Sequence, residues 1–151
     1  MRNRIKQERF ASPAQEAFLN LLVAADHLQT MAQTICEAHG LTRGQYNVLR
    51  ILKGVYPAGH PRCEIAVRMI ERAPDITRLV DRLEKQGLVE RGRGDEDRRQ
   101  SVTRVTRKGI QLLERLNPQL EDGHKDIADR LTATDCRTLS ELCGRIYATP
   151  E

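Results

Sequence analysis

Arginine is the residue type through which this 151-residue sequence could do chemistry, because arginines are concentrated between positions 62 and 107. The whole chain has a net charge of only +4, so the local clustering is the informative feature. A basic patch on one face of a protein is the electrostatic footprint of a polyanionic partner. The alternative is a basic surface that only keeps the protein soluble.

A predicted helix over residues 74–86 carries the first group of polar side chains. Apolar residues recur along it at spacings of three and four and form one stripe, and these are Ile76, Leu79, Val80 and Leu83. Pro74 is tolerated in a first helical turn, and Gly87 supplies the left-handed residue that ends the helix. The residues on its other faces are the candidates for contact with the polyanion: Asp75, Thr77, Arg78, Asp81, Arg82 and Lys85.

A basic hairpin is predicted after this helix. Residues 88–91 and 101–106 have the composition of strands, and the second run alternates between apolar and polar side chains. The loop between them, residues 92–100, is too polar to bury. A helix followed by such a hairpin is the plan of a winged helix-turn-helix, with a supporting helix over residues 62–71 and the hairpin as the wing.

The tip of the wing carries Asp97, Arg98 and Arg99. Arginine on a narrow ribbon can enter an A·T-rich minor groove, where the electrostatic potential is most negative. Asp97 would hold one arginine in place while the other points outward. The alternative is a solvated charged turn. Other basic residues of the region would contact phosphates or strengthen the field: Arg91, Arg93, Arg104, Arg107 and Lys108.

Two runs of sequence carry a resemblance to a known family. Residues 77–91, T-R-L-V-D-R-L-E-K-Q-G-L-V-E-R, and residues 97–109, D-R-R-Q-S-V-T-R-V-T-R-K-G, resemble the core of the MarR family of bacterial transcriptional regulators. The resemblance implies that Thr77 and Arg78 meet bases and phosphates, and that one arginine of the wing pair, Arg99 by position, enters the minor groove. It also implies a homodimer whose two recognition helices reach successive major grooves of a pseudo-palindromic operator.

The chain departs from the family pattern before the recognition helix, where R-A-P-D at positions 72–75 replaces the usual serine-type N-cap. Asp75 can still stabilise the helix N-terminus through the helix dipole, although it brings a negative charge close to a phosphate site. Arg78 and Arg82 also have an alternative to DNA contact. They could pair within the helix with acids three or four residues away, namely Asp75, Asp81 and Glu84.

The remaining elements predict a mainly α-helical fold with a small β-hairpin wing, of the α+β class. Ser12 and Thr42 each begin a capping-box pattern. The first of them predicts a helix of about 26 residues, roughly 40 Å long. That length exceeds what one small domain needs for its own core, so part of the apolar stripe would face a second chain.

Further along the chain, residues 55–61 are interpreted as a turn-rich connector. Pro118 predicts either a kink in the helix that follows Thr106 or a break into two helices over residues 117–123. A last helix is expected to begin between residues 132 and 134. The predicted domain boundaries follow from these elements: an N-terminal arm and dimerisation helix over 1–40, the winged helix-turn-helix over 41–106, and C-terminal dimerisation helices over 107–151.

The resemblance implies a small-molecule effector, often a phenolic or other aromatic anion, that binds between the dimer helices and the DNA-binding lobe. Such a ligand would shift the population toward dimers whose recognition helices no longer fit DNA. The same side chains could equally be ordinary core. The candidates for the pocket wall are Leu28, Met31, Ile35, Tyr46 and Arg50.

Enzymatic chemistry finds no support in the sequence, which has no zinc-protease motif, no nucleophile-elbow motif and no phosphate-binding glycine loop. His60 and Cys63 have ligand-like spacing, but two ligands do not make a zinc site. We therefore expect a repressor that is not an enzyme and has no metal or cofactor. The absence of a membrane-length apolar run and of a signal-peptide core predicts a cytoplasmic protein with no membrane partner.

Two alternative functions remain. The four cysteines are expected to be small buried hydrophobes, but Cys36 or Cys63 could make the protein a redox-sensing regulator on the same fold. Loss of DNA binding on peroxide treatment, abolished by serine at either position, would support that alternative. The other is an interaction module whose basic surface binds an acidic protein. The operator, the regulated genes, the effector and the direction of regulation are open at this stage.

Overall fold

The computed structural model describes residues 9–71, 75–93 and 101–148. Within these ranges the chain forms six helices and three short strands, which confirms the mainly helical fold with a small antiparallel sheet. The elements in chain order are α1 (Pro13–Ala38), α2 (Arg43–Lys53), β1 (His60–Pro61), α3 (Arg62–Arg68), α4 (Ile76–Lys85), β2 (Val89–Arg93), β3 (Ser101–Val105), α5 (Arg107–Arg130) and α6 (Ala133–Tyr147).

Helix α1 begins at the predicted position and has the predicted length. The Ser12 side chain accepts a hydrogen bond from the Gln15 backbone N–H at 3.2 Å, Pro13 occupies the first turn, and the helix is 26 residues long. Cys36 is its one fully buried residue. Most of its other side chains are exposed or half-buried, so a single chain covers little of this helix.

Helix α2 is the centre of the core. Thr42 and Gln45 form a reciprocal capping box, in which each side chain accepts a hydrogen bond from the backbone N–H of the other residue. This helix packs with α1, α3, α4 and strand β3. Residues of this core that have no exposed surface include Val48, Leu49, Leu52, Ile65, Val80, Leu83 and Leu116.

The connector over residues 55–61 ends in a strand that its sequence did not predict. His60 and Pro61 pair antiparallel with Thr103 and Val102, which gives a three-stranded sheet in the order β1-β3-β2. A two-residue strand that ends in proline has too few residues to show alternation. Gly59 precedes it with φ +80°, and a Cβ there would lie under 3.0 Å from the Thr103 carbonyl oxygen, so glycine is required.

The supporting helix α3 ends at Arg68, earlier than the predicted range of 62–71. Met69 leaves the helix with extended backbone angles (φ −67°, ψ 134°). The Ile70 backbone N–H then donates to the Asn47 side-chain oxygen of α2 at 3.3 Å. Helix α4 follows, with Asp75 as its N-cap.

The C-terminal part of the chain begins with a continuous helix. Helix α5 runs through Pro118 without interruption, so the alternative of a break into two helices is wrong. Thr106 caps its start, where the hydroxyl accepts from the Gly109 backbone N–H at 3.2 Å. The chain divides into two compact units, Met1–Leu116 and Asn117–Glu151, and the division falls within α5. No helix in the described ranges is long and apolar enough to cross a membrane.

Candidate nucleic-acid interface and effector cavity

Helix α4 presents two chemically different faces. Val80 and Leu83 are fully buried, whereas four of the six predicted contact residues are exposed and the other two, Asp75 and Asp81, are half-buried. The apolar stripe therefore faces the core as the sequence predicts, and its burial leaves the other faces of the helix in solvent. The exposed candidates are Thr77, Arg78, Arg82 and Lys85.

Asp75 has a structural role at the start of α4. Its Oδ1 accepts a hydrogen bond from the Arg78 backbone N–H at 3.0 Å, so a carboxylate replaces the serine-type N-cap. Its Oδ2 lies 2.9 Å from the Arg78 Nε. The pairing within the helix that the sequence left open for Arg78 is thus present. The Arg78 side chain is nevertheless 80% exposed, so solvent screens this pair and the guanidinium stays at the surface.

Thr77 and Arg82 complete the exposed surface of α4. The Thr77 hydroxyl accepts a hydrogen bond from the Arg62 Nη1 at 3.1 Å, which links the first turn of α4 to the first turn of α3. Arg82 has no ion pair with any described residue, although acids lie close to it in sequence. Those acids, Asp81 and Glu84, pair with a residue of the wing instead.

Arg91 of β2 is that residue. Its Nη2 binds the Asp81 carboxylate, and its Nη1 lies 3.4 Å from the Glu84 Oε2. The sequence predicts a phosphate contact for Arg91, but the structure gives its charge to two carboxylates of α4. The spacing of ten residues between Asp81 and Arg91 crosses a turn, so helical periodicity could not reveal this pair. The ion pairs join strand β2 to α4.

A basic groove lies beside the outer face of the hairpin. It has a volume of about 560 Å³, and its wall includes Arg93, Arg104, Arg107 and Glu90. The Arg104 Nη2 donates a hydrogen bond to the Arg93 carbonyl oxygen at 3.1 Å, which holds that guanidinium across the hairpin. Three predicted phosphate-contacting arginines are therefore brought together. Lys108 is used differently, because its Nζ donates to the Gln86 carbonyl oxygen at the end of α4 at 2.7 Å.

The predicted wing tip, with Asp97, Arg98 and Arg99, lies outside the described residues.

A second, mostly apolar cavity of about 400 Å³ lies between α1, α2 and the segment after α3. Two of the predicted pocket residues, Leu28 and Tyr46, line it. The other three predicted residues, Met31, Ile35 and Arg50, do not line it. The full set of lining residues is Leu28, Gln29, Ala32, Arg43, Gly44, Tyr46, Asn47, Met69, Ile70 and Glu71.

Burial raises the pKa of two groups, Tyr46 of the cavity wall and Cys36 of α1. It raises the pKa of the Tyr46 hydroxyl, against an opposing effect of the Arg50 charge. It also raises the pKa of the Cys36 thiol, which the Arg43 charge only partly offsets. Cys63, in contrast, is exposed on α3, and Cys136 and Cys143 are half-buried, so the expectation of buried cysteines holds only for Cys36. Ile65 is the residue of α3 that enters the core, and Cys63 lies on another face.

Metal ligands do not gather in the described part of the chain, where no group of three or more His, Cys, Asp or Glu residues could hold an ion.

A helix that presents polar residues, a supporting helix bound to it and an adjacent basic hairpin together define a winged helix-turn-helix protein of the DNA-binding class. The sequence profile of the MarR family matches residues 41–101. A crystal structure of a MarR transcription factor from Planctomyces limnophilus is 38% identical, with a TM-score of 0.67, over 89% of this chain and 98% of that one. The chain therefore belongs to the MarR family and is a DNA-binding transcription regulator.

Two further relatives are informative. The homoprotocatechuate degradative operon repressor of Escherichia coli is 29% identical over 131 residues, which are 85% of each chain. The crystal structure of NadR in complex with 4-hydroxyphenylacetate is 25% identical, with a TM-score of 0.69, over 93% of this chain and 95% of that one. The first of these relatives is a repressor by its name.

Proposed function

We propose that the protein is a homodimeric repressor that binds a pseudo-palindromic operator and is released by a small aromatic acid. The recognition helix α4 enters the major groove, and the wing reaches the adjacent minor groove. The observation that carries this proposal is the exposed polar face of α4 with Thr77, Arg78, Arg82 and Lys85 opposite a fully buried stripe. Arg98 and Arg99 remain the predicted minor-groove residues.

The basic side chains differ in whether they are available to contact a phosphate. Arg82 has no described acid partner, and Arg78 is paired but highly exposed. Arg93 and Arg107 contribute to the groove beside the hairpin. Arg91 positions the wing through its two acids rather than neutralising a phosphate. The structure therefore favours Arg82 and Arg78 as the contacts of α4.

Dimerisation is proposed from the apolar side chains that a single chain leaves exposed. On α6, Leu139, Leu142 and Ile146 recur at spacings of three and four and form one face. On α1, Phe18 and Leu22 are more than half exposed. Exposed apolar faces of this kind mark interaction sites. A dimer that buries them would present two α4 helices to two half-sites.

The effector role rests on the cavity beside α1 and α2. Its wall combines apolar side chains with one cation, Arg43, which suits an aromatic ring that carries a carboxylate. The NadR relative binds 4-hydroxyphenylacetate, a molecule of this class. A ligand here would contact Met69, Ile70 and Glu71, which precede the recognition helix.

The DNA-binding proposal is tested by fluorescence anisotropy with a fragment from the protein's own upstream region across a salt series. Arg82→Ala should weaken binding and reduce the slope of log affinity against log salt by about one, because one phosphate contact is lost. The double variant Arg98→Ala/Arg99→Ala should reduce both the affinity and the slope further. Lys125→Ala, a charge-matched control outside the winged helix-turn-helix, should leave the slope unchanged. Equal slopes for wild type, Arg82→Ala and the double variant would overturn the proposed interface.

A further inference from the structure

Two side chains in the wall of the effector cavity bind each other. The Arg43 Nη2 lies 2.6 Å from the Glu71 Oε1, and both residues line the cavity. The side chains are 25% and 49% exposed, so the pair is only partly shielded from water. Of the described residues that line the cavity, only Arg43 carries a positive charge. A carboxylate that enters the cavity therefore finds its one cationic partner already bound to Glu71.

The same pair anchors the segment that leads into the recognition helix. Glu71 and Ile70 follow α3, and Asp75 begins α4. The Ile70 backbone N–H is held by the Asn47 side-chain oxygen at 3.3 Å, and the Glu71 carboxylate is held by Arg43. Asn47 and Arg43 both belong to α2, so the segment is fixed to α2 at two adjacent points. Loss of one anchor would change how firmly the start of α4 is positioned.

We propose that the Arg43–Glu71 ion pair is the switch through which the protein responds to a carboxylate ligand. This proposal rests on the effector role above. The carboxylate of the ligand replaces Glu71 on the Arg43 guanidinium, while the aromatic ring occupies the apolar part of the cavity. Glu71 then leaves Arg43, and the segment that carries Met69 and Ile70 is released from α2. Effector binding thus becomes a change at the N-terminus of α4.

The energies suit an exchange of this kind. A partly exposed ion pair contributes little net stability, so a ligand that offers an equivalent carboxylate can displace Glu71 at small cost. A ligand shifts a two-state equilibrium only by the difference between its affinities for the two states. Competition for the Arg43 Nη2 supplies that difference, because this nitrogen is open to the ligand only when Glu71 has moved away. An uncharged analogue of the same shape lacks this preference.

The test uses isothermal titration calorimetry with 4-hydroxyphenylacetate, benzoate and cinnamate, each compared with its amide. Wild type should bind at least one acid more tightly than its amide. Glu71→Gln removes the competing carboxylate, so it should tighten binding of the acid about twofold to fivefold and leave the amide unchanged. Arg43→Gln should abolish the preference for the acid. Glu64→Gln is the matched control, because it breaks the Glu64–Arg68 pair of α3, which does not line the cavity.

DNA titrations of the same variants complete the test. Without ligand, Glu71→Gln and Arg43→Gln should both bind DNA more weakly than wild type, and the acid should cause a smaller loss of DNA affinity in both. If wild type binds an acid and releases DNA but Glu71→Gln behaves like Glu64→Gln, the switch is overturned and the effector role stands. If wild type binds none of the three acids, the effector role fails and the switch fails with it.

Discussion

At the scale of single residues, the interface depends on which arginines already hold a carboxylate. Asp75, Asp81 and Glu84 lie on α4 within reach of several basic side chains, and their spacing alone allows more than one pairing. In the folded chain Asp75 caps the helix and binds Arg78, while the other two acids bind Arg91. Arg82 is left without a described partner as a consequence. The pairing of the acids therefore depends on strand β2, which carries Arg91, and not on α4 alone.

A second comparison at this scale concerns the exposure of two thiols, those of Cys36 and Cys63. Cys36 has no exposed surface, and burial raises the pKa of its thiol, so its reactive thiolate is scarce near neutral pH. Cys63 is exposed on α3. We expect a thiol reagent such as DTNB to modify Cys63 quickly in the native protein and Cys36 only after urea unfolds it.

Serine variants assign the phases of that reaction. Cys63→Ser should remove a fast phase, and Cys36→Ser should leave it in place. Fast modification of Cys36 in the native protein would contradict the structure. The redox alternative then reduces to Cys63, and peroxide treatment of wild type and Cys63→Ser, read by DNA affinity, decides it.

At the scale of elements, the start of α5 is built onto the end of α4. The Thr106 hydroxyl donates to the Gly87 carbonyl oxygen at 2.8 Å, and the Thr106 backbone N–H donates to the Leu88 carbonyl oxygen at 3.0 Å. Lys108 reaches the Gln86 carbonyl oxygen. These contacts satisfy the carbonyl groups of the three residues that follow α4. The run T-R-K-G at residues 106–109 thus joins the recognition helix to the helix after the wing.

Gly109 in this junction provides a prediction. A Cβ at Gly109 would meet the Leu88 carbonyl oxygen at under 3.0 Å and the Val105 Cγ2 at 2.8 Å. Gly109→Ala should therefore lower the free energy of unfolding by about 2 kcal/mol or more, since backbone must move. Urea denaturation followed by circular dichroism measures the change. Gly54→Ala is the control, because Gly54 has right-handed angles and an added Cβ makes ordinary contacts.

The expected change for Gly54→Ala is within about 1 kcal/mol in either direction. If the two alanine variants were equally stable, close packing at Gly109 would not be the reason for glycine there.

Local signals explain which elements could be predicted from the sequence. Ser12, Thr42 and Thr106 cap helices as their patterns indicate, because a cap is a contact between residues three apart. Strand β1 was missed because its pairing with β3 joins distant positions and leaves no periodicity. The Arg43–Glu71 pair was missed for the same reason. Of the effector cavity, only Leu28 and Tyr46 could be named, since the segment after α3 reaches it through the tertiary fold.

At the scale of the whole molecule, regulation requires that the recognition helix responds to the cavity. The cavity wall includes three consecutive residues that precede α4, Met69, Ile70 and Glu71. Under the proposed switch, occupancy of the cavity would act on the helix through these residues, which belong to the unit that ends at Leu116. A regulator arranged in this way can transmit ligand binding without unfolding its core. In a dimer the effect would act on both recognition helices and so on their fit to two half-sites.

The proposed dimer leads to the last prediction. Leu139 and Ile146 share one exposed face of α6, and charge placed there should prevent that face from being buried against a partner. Leu139→Glu with Ile146→Glu should convert the protein from a dimer to a monomer of 17.2 kDa in light scattering after size exclusion. DNA affinity should fall at least about tenfold, because two half-sites are then bound by independent chains. Val67→Glu, which alters an apolar residue of α3 that is more exposed than either, should leave the dimer intact. A double variant that stays dimeric would place the interface elsewhere, and the exposed face of α6 would need another partner.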